Sequence, residues 1–268
     1  MSLSDLTQHI PDQTSAIYRF SFGTKPLPGY WRSFKESIWG KGLDSLQQQE
    51  LVERDSDPLE DSHILPDPPP VTRPVATLPK TLPDVGGLDG QEKILVRSEY
   101  HETEKAALLS NESGYGVFVV NGQPGIGPPR SPSIVLSAQA NITPGKSMFL
   151  LWLLMRRLAL RLPTALQLNA SYAILFHECG VSRFPLDSLD YDDYRGLKLP
   201  PGARPGRIWA LIDSNLTLPK PADVFIHNSP FSVVNAASPT SDNLGWLEKT
   251  RYEKFYMNPW SVSEVIQA

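Results

Sequence analysis

A short set of residues in this 268-residue chain has the types and order needed to hold a phosphate chain and a metal ion. Gly122, Gly125 and Gly127 lie in "GVFVVNGQPGIG", and Gly145, Lys146 and Ser147 open "GKSMFLLWLLMRRLALRL". Glycines let backbone N–H groups turn inward around phosphate oxygens, a lysine ammonium neutralises those oxygens, and a hydroxyl ligates Mg²⁺. The spacing that achieves this is G-x-x-x-x-G-K-[ST] between a buried strand and a helix. Here its two halves are separated by "PPRSPSIVLSAQANITPG", residues 128–145. Joining Gly127, or its equivalent Gly145, directly to Lys146 satisfies every position, with an apolar strand before and an apolar helix after.

Residues 128–145 read as a translated intron. A glycine codon GGT at Gly127 and a CCA-GGN pair at Pro144 and Gly145 would carry the two splice signals, and splicing would restore a glycine codon in frame. The expected ligands are then ATP and Mg²⁺, bound by the joined loop and weakly or not at all by the chain with its insertion. A rival loop exists in the literal sequence if alanine stands first: Ala140, then "NITP", then Gly145, Lys146 and Ser147. Alanine at that place loses the positive φ that glycine reaches at the first turn. A third reading is a tolerated insertion that separates Gly127 from Lys146 and abolishes binding.

A magnesium site of this kind takes a second acid from the end of another buried strand. "RIWALIDSN" supplies one, because the apolar run 209–212 ends at Asp213. Ser147 and Asp213 are therefore assigned to the metal. A glutamate that activates water often follows such an aspartate, but Ser214 stands there, so no catalytic residue is assigned and binding is expected ahead of hydrolysis. Asn235 and Ser238, in "VVNAASP", are candidates for sensing a terminal phosphate, with simple solvation of a strand end as the plainer reading. Arg251 reads as an exposed helix charge rather than a phosphate contact. His177, Glu178 and Cys179 lack metal-protease spacing and a second cysteine, which favours a strand-end core position. Asp187, Asp190, Asp192 and Asp193 lack a central glycine at calcium-loop spacing and read as a solvated loop.

The elements that must position these groups are visible as apolar runs. "GVFVVNG" (116–122), "SYAILFHECG" (171–180), "RIWALIDSN" (207–215) and "FSVVNAAS" (231–238) read as strands buried on both faces. With a helix between the first two, they predict an α/β fold whose mainly parallel sheet is flanked by helices, as in P-loop NTPases. The run "MFLLWLLM" (148–155) stops at Arg156 and Arg157, short of a membrane span, and reads as a buried helix. Residues 89–268 form this domain, which is expected to be C-terminally incomplete because Ser261 and Glu264 would cap a helix that has barely begun. Residues 56–88 read as a Pro-rich extended linker, since proline's missing N–H and fixed φ oppose a helix or central strand. Residues 1–55 read as a small module or docked arm, with a strand at "AIYRFSF" and a helix whose one face carries Trp31, Phe34, Ile38 and Trp39.

Composition limits the partners. With 25 basic and 29 acidic residues the formal charge is −4, against a surface generally built to neutralise nucleic-acid phosphate. One cysteine excludes an intrachain disulfide and a thiolate zinc cluster, which suits a reducing compartment. No basic segment followed by an apolar run opens the sequence, so the expected location is intracellular, cytoplasmic or nuclear, without a membrane partner.

Taken in order, "ILVRSEYHETEKAAL", the two halves of the glycine loop, "YAILFHECGV", "RIWALIDSN" and "SPTSDNLGWLEKTRYEKFYMNPWSVSEV" resemble the P-loop ATPase region of Crinkler-type and retrotransposon-hot-spot-type proteins of fungi and other eukaryotic microbes. The resemblance covers roughly residues 90–268, and its more specific part is the aromatic-Met-x-Pro-Trp-Ser-x-x-Glu ending. It implies an ATPase, and, because such proteins often carry a C-terminal nuclease-like domain, action on DNA or chromatin. The other readings are a non-catalytic interaction scaffold built on a degenerate P-loop fold, and a fragment with no stable fold.

Overall fold

A computed structural model describes residues 29–52, 71–78, 93–122, 145–178, 180–186, 208–214, 218–226, 231–237 and 245–258. A three-stranded antiparallel sheet is built from β1 (Gln47–Val52), β2 (Val71–Thr77) and β3 (Lys93–Leu95), with β2 in the middle. The main sheet has seven strands: β4 (Val117–Gly122), β5 (Thr164–Gln167), β6 (Tyr172–His177), β7 (Gly180–Pro185), β8 (Ile208–Asp213), β9 (Phe231–Ala237) and β10 (Tyr252–Met257). Their order is β10-β4-β9-β8-β5-β6-β7. The first five are mutually parallel, while β6 and β7 continue the sheet as an antiparallel hairpin. The chain is thus an α/β protein with a mostly parallel sheet, as the continuous apolar runs imply.

Alternation along the strands divides the core in two. Phe118, Val120, Trp209, Leu211, Val234 and Ala236 face the helices α1 (Gly29–Ile38), α2 (Ser98–Glu112) and α3 (Gly145–Ala159). Val117, Val119, Ile208, Ala210, Ile212 and Val233 face α4 (Asp223–Ile226) and the 3₁₀ turn Gly245–Lys249. Successive residues of a strand point to opposite faces, so strands buried on both must be apolar throughout. The connection from β4 to β5 runs over the first face through α3, and the one from β9 to β10 runs over the second, where Leu247 is buried.

Helix α3 is apolar nearly all round because it lies over the sheet and under α1 and α2. Phe149 and Trp152 meet Tyr100 of α2 with ring centroids 5.7 Å and 5.6 Å apart. The arginines that end the apolar run are inside the helix. Arg156 Nε donates to Glu104 Oε1 at 2.9 Å, and Arg157 Nε donates to Thr164 Oγ1 at 2.9 Å while its guanidinium covers Trp209. The helix ends at Ala159. Leu162 N–H closes back on the Arg157 carbonyl at 2.8 Å, with Arg161 in the left-handed region at φ 58°, a Schellman-type ending.

Several expectations change. Residues 171–180 do not form a parallel strand: β6 pairs antiparallel with both β5 and β7. The parallel neighbour of β8 on the side away from β9 is β5, four residues long, in a stretch without a strong apolar run. Part of the expected linker, residues 71–77, is a central strand. Pro74 fits because the β2–β3 ladder covers only residues 75–77 of β2, and beyond it Pro74 contributes its carbonyl, which accepts from Val96 N–H at 2.9 Å. The helix expected around Arg251 is instead the 3₁₀ turn followed by β10, with Arg251 between them over the Tyr115 ring. Helix α1 forms as expected, with Trp31, Phe34 and Ile38 buried and Trp31 and Phe34 edge-on to Phe176 of β6. Residues 16–22, most of 56–88, and Ser261 with Glu264 lie outside the described residues. No helix among the described residues is long and apolar enough to cross a membrane.

Candidate functional site

The carboxyl ends of parallel strands are where open α/β sheets gather ligands. At that edge Gly122 ends β4, Asp213 ends β8 and Ala237 ends β9, with β9 lying between the other two. Helix α3 begins at Gly145, so Lys146 and Ser147 occupy its first turn, where unpaired N–H groups and the helix dipole favour negative charge. Lys146 Nζ donates to the Gly122 carbonyl at 2.8 Å and to the Ala237 carbonyl at 3.0 Å. Residues 122 and 146 are thereby in contact although 24 positions apart.

Asp213 completes the group. Odd-numbered residues of β8 face α3, and the Asp213 carboxylate accepts a hydrogen bond from the Ser147 hydroxyl. Burial pushes the Asp213 carboxyl above its ordinary value, and the Ser147 bond and Lys146 charge oppose that rise. Burial pushes Lys146 below its ordinary value, against the attraction of Asp213. Each charge is disfavoured by its surroundings and supported by the other. Such a pair could interact with a ligand bearing both negative charge and a cation.

Gly122 is close-packed. A β-carbon there would come 3.3 Å from Met257 Cβ and 3.6 Å from Lys146 Cδ, so the strand end and the lysine stem leave little room for a side chain. Of the residues assigned from sequence, Gly122, Gly145, Lys146, Ser147 and Asp213 converge at one end of the sheet. Gly125, Gly127, residues 128–144 with Ala140, and Ser238 lie outside the described residues.

The position after Asp213 has its own partners. Ser214 is buried, its Oγ donates to Asn235 Oδ1 at 2.7 Å, and its N–H donates to the Ala236 carbonyl at 2.8 Å. Asn235 is fully buried rather than a solvated strand end. Asn121, one residue before Gly122, is also buried and was not singled out by sequence. A polar residue inside an otherwise apolar strand, immediately before the loop glycine, was the available signal.

His177 is a buried residue of β6 whose Nε2 lies 3.1 Å from Ser182 Oγ. Among the described residues no cluster of three or more His, Cys, Asp or Glu side chains could hold a metal; Cys179 and the acidic positions 187, 190, 192 and 193 lie outside them. Burial, with help from the Lys35 charge, lowers the His177 pKa from 6.5 to about 4. The unfolded chain therefore takes up a proton that the folded chain refuses, and stability falls as pH drops from 6.5 towards 4. The loss expected at this residue is on the order of 2–3 kcal/mol. Urea midpoints at pH 7 and pH 4.5 for the parent and His177→Gln check it: the parent should lose more on acidification, and an equal loss in both would exclude His177 as the cause.

No protein-family model, curated protein or solved structure matches the chain.

Proposed function

We propose that the carboxyl edge of β4, β9 and β8 is the phosphate and metal end of a nucleotide site, and that the protein binds ATP with Mg²⁺ as a P-loop NTPase domain does. The observation that carries this reading is the convergence of Lys146, Ser147 and Asp213: an ammonium between two strand-end carbonyls, beside a hydroxyl bonded to a carboxylate. Hydroxyl and carboxylate oxygens are hard donors suited to Mg²⁺. Ser147 and Asp213 would hold the ion, the ion would neutralise phosphate oxygens, and Lys146 would exchange its carbonyl partners for the terminal phosphates. The glycines of 122–127 would present backbone N–H groups to the remaining oxygens.

Binding is proposed ahead of hydrolysis. Ser214 offers a hydroxyl, which donates a hydrogen bond to Asn235, and no carboxylate to take a proton from water. The insertion 128–145 separates Gly127 from Lys146 and is proposed to impair binding in the full chain. The alternative, a non-catalytic scaffold on the same fold, draws support from that insertion, as does the expected loss of affinity. Action on DNA or chromatin rests on the family resemblance.

The metal assignment has a direct test. In a chain lacking residues 128–145, Mg²⁺ should strengthen ATP binding, and Asp213→Asn should remove at least the roughly 10–100-fold that partners of a metal site contribute. The same substitution should raise stability at pH 7. Because burial raises the folded pKa of Asp213, the folded chain holds that proton more firmly, and stability falls as pH rises above the carboxyl's ordinary 3.8. The amide escapes this cost, and its advantage should vanish below that pH. Mg²⁺-dependence that survives in Asp213→Asn would remove Asp213 from the site.

A further inference from the structure

We infer that a single water molecule is bound between Asn121 of β4 and Asn235 of β9, as a fixed part of the folded protein beneath the carboxyl edge. This inference is independent of what the edge binds.

Asn121 and Asn235 have relative exposures of 1% and 0%. Both lie on the sheet face opposite α3, since they alternate with Val120, Val234 and Ala236 on the α3 side. The parallel register sets Val119 against Asn235 and Asn121 against Ala237, so the two asparagines are diagonal neighbours on adjacent strands. Asn235 Oδ1 accepts the Ser214 hydroxyl at 2.7 Å, which turns its Nδ2 away from Ser214. That Nδ2 and the Oδ1 of Asn121 are buried without a hydrogen-bond partner among the described residues. Buried amide atoms are rarely left so in folded proteins, and ordered water is the usual partner when no protein group serves.

The two atoms specify the occupant. It must donate to the Asn121 carbonyl oxygen and accept from the Asn235 amide. A metal cation cannot accept, and a carboxylate or phosphate oxygen cannot donate to Asn121. Water does both. Diagonal neighbours on a sheet have β-carbons about 7 Å apart, close enough for two amides to share one water. Direct contact between the amides would have satisfied both atoms. The seat links the ends of β4, β9 and β8 just below Gly122 and Ala237, whose carbonyls hold Lys146. Ser214 is then a positioning residue: it fixes which end of the Asn235 amide faces the water.

Two measurements on the full chain test this. In the wild-type protein, the Asn235 side-chain amide protons should show a magnetisation-transfer signal to water of the sign given by a long-lived bound molecule. A signal only of bulk exchange, or none, overturns the proposal whether or not any variant folds. In a double-mutant cycle, Asn121→Leu and Asn235→Leu should each lower the folding equilibrium constant at least about tenfold, because each leaves the other amide and its water short of a partner. Together they should cost no more than the worse single change, whereas additive losses would mean that no shared water joins them.

Discussion

Excising residues 128–145 should tighten Mg–ATP binding at least about a hundredfold, to a dissociation constant in the micromolar range. The factor is modest in free energy, about 2.7 kcal/mol. Fixing the backbone of one residue costs roughly 1–2 kcal/mol, so a longer segment to fix between Gly127 and Lys146 is enough to account for it. Excision is sterically reasonable because the ends of the loop already meet: Lys146 Nζ contacts the Gly122 carbonyl, and Gly145 starts α3. The joined chain would span from Gly122 to Lys146 with the five residues 123–127, the length the motif needs. Equilibrium titration of both chains checks this. Equal affinities would favour the Ala140 loop, and no binding by a folded excised chain would favour the scaffold.

The second large effect concerns stability. Glu104→Ala should cost about 3–5 kcal/mol, because it strands the buried Arg156 guanidinium without its carboxylate. Arg156 is 4% exposed and also lies over the Trp152 ring, so neither water nor another described carboxylate is at hand to replace Glu104. Replacing both partners, Glu104→Leu with Arg156→Leu, should recover most of the loss, since two apolar side chains avoid the desolvation of two charges. Denaturant unfolding of the single and double variants reads the difference. His101 offers a second readout. Its pKa is lowered by burial and then by Arg156, against an upward pull from Glu104, so Glu104→Ala should lower it further. A loss under about 1 kcal/mol would mark the pair as solvent-screened.

What could be read from the sequence follows the physics of burial. β4, β8 and β9 are covered on both faces, so each is a continuous apolar run, and α3 is apolar because helices and sheet enclose it. The convergence of Lys146, Ser147 and Asp213 follows from motif spacing plus one strand-end acid, both local signals. β10 gave no such signal. Among the described residues it is an edge strand paired with β4, and "YEKFYM" sets two adjacent charges between aromatic side chains over a half-exposed surface, which reads as readily for a helix. β5 is too short to show a period, and the direction of β6 depends on β7 beyond it, which a run of apolar residues does not encode. The Glu104–Arg156 pair joins residues 52 positions apart, and the buried asparagines are fixed by strand register. Long-range pairing of polar groups leaves almost no trace in a single sequence.

The central claim is that Lys146 at the carboxyl edge of β4 and β9 serves a nucleotide. Calorimetric titration of Mg–ATP into the chain lacking residues 128–145, and into the same chain with Lys146→Ala, tests it most directly. Binding should be saturable and one-to-one in the first and lost in the second, with both chains unfolding cooperatively. Undiminished binding in the Lys146→Ala chain, or no heat of binding in a cooperatively folded excised chain, would contradict it.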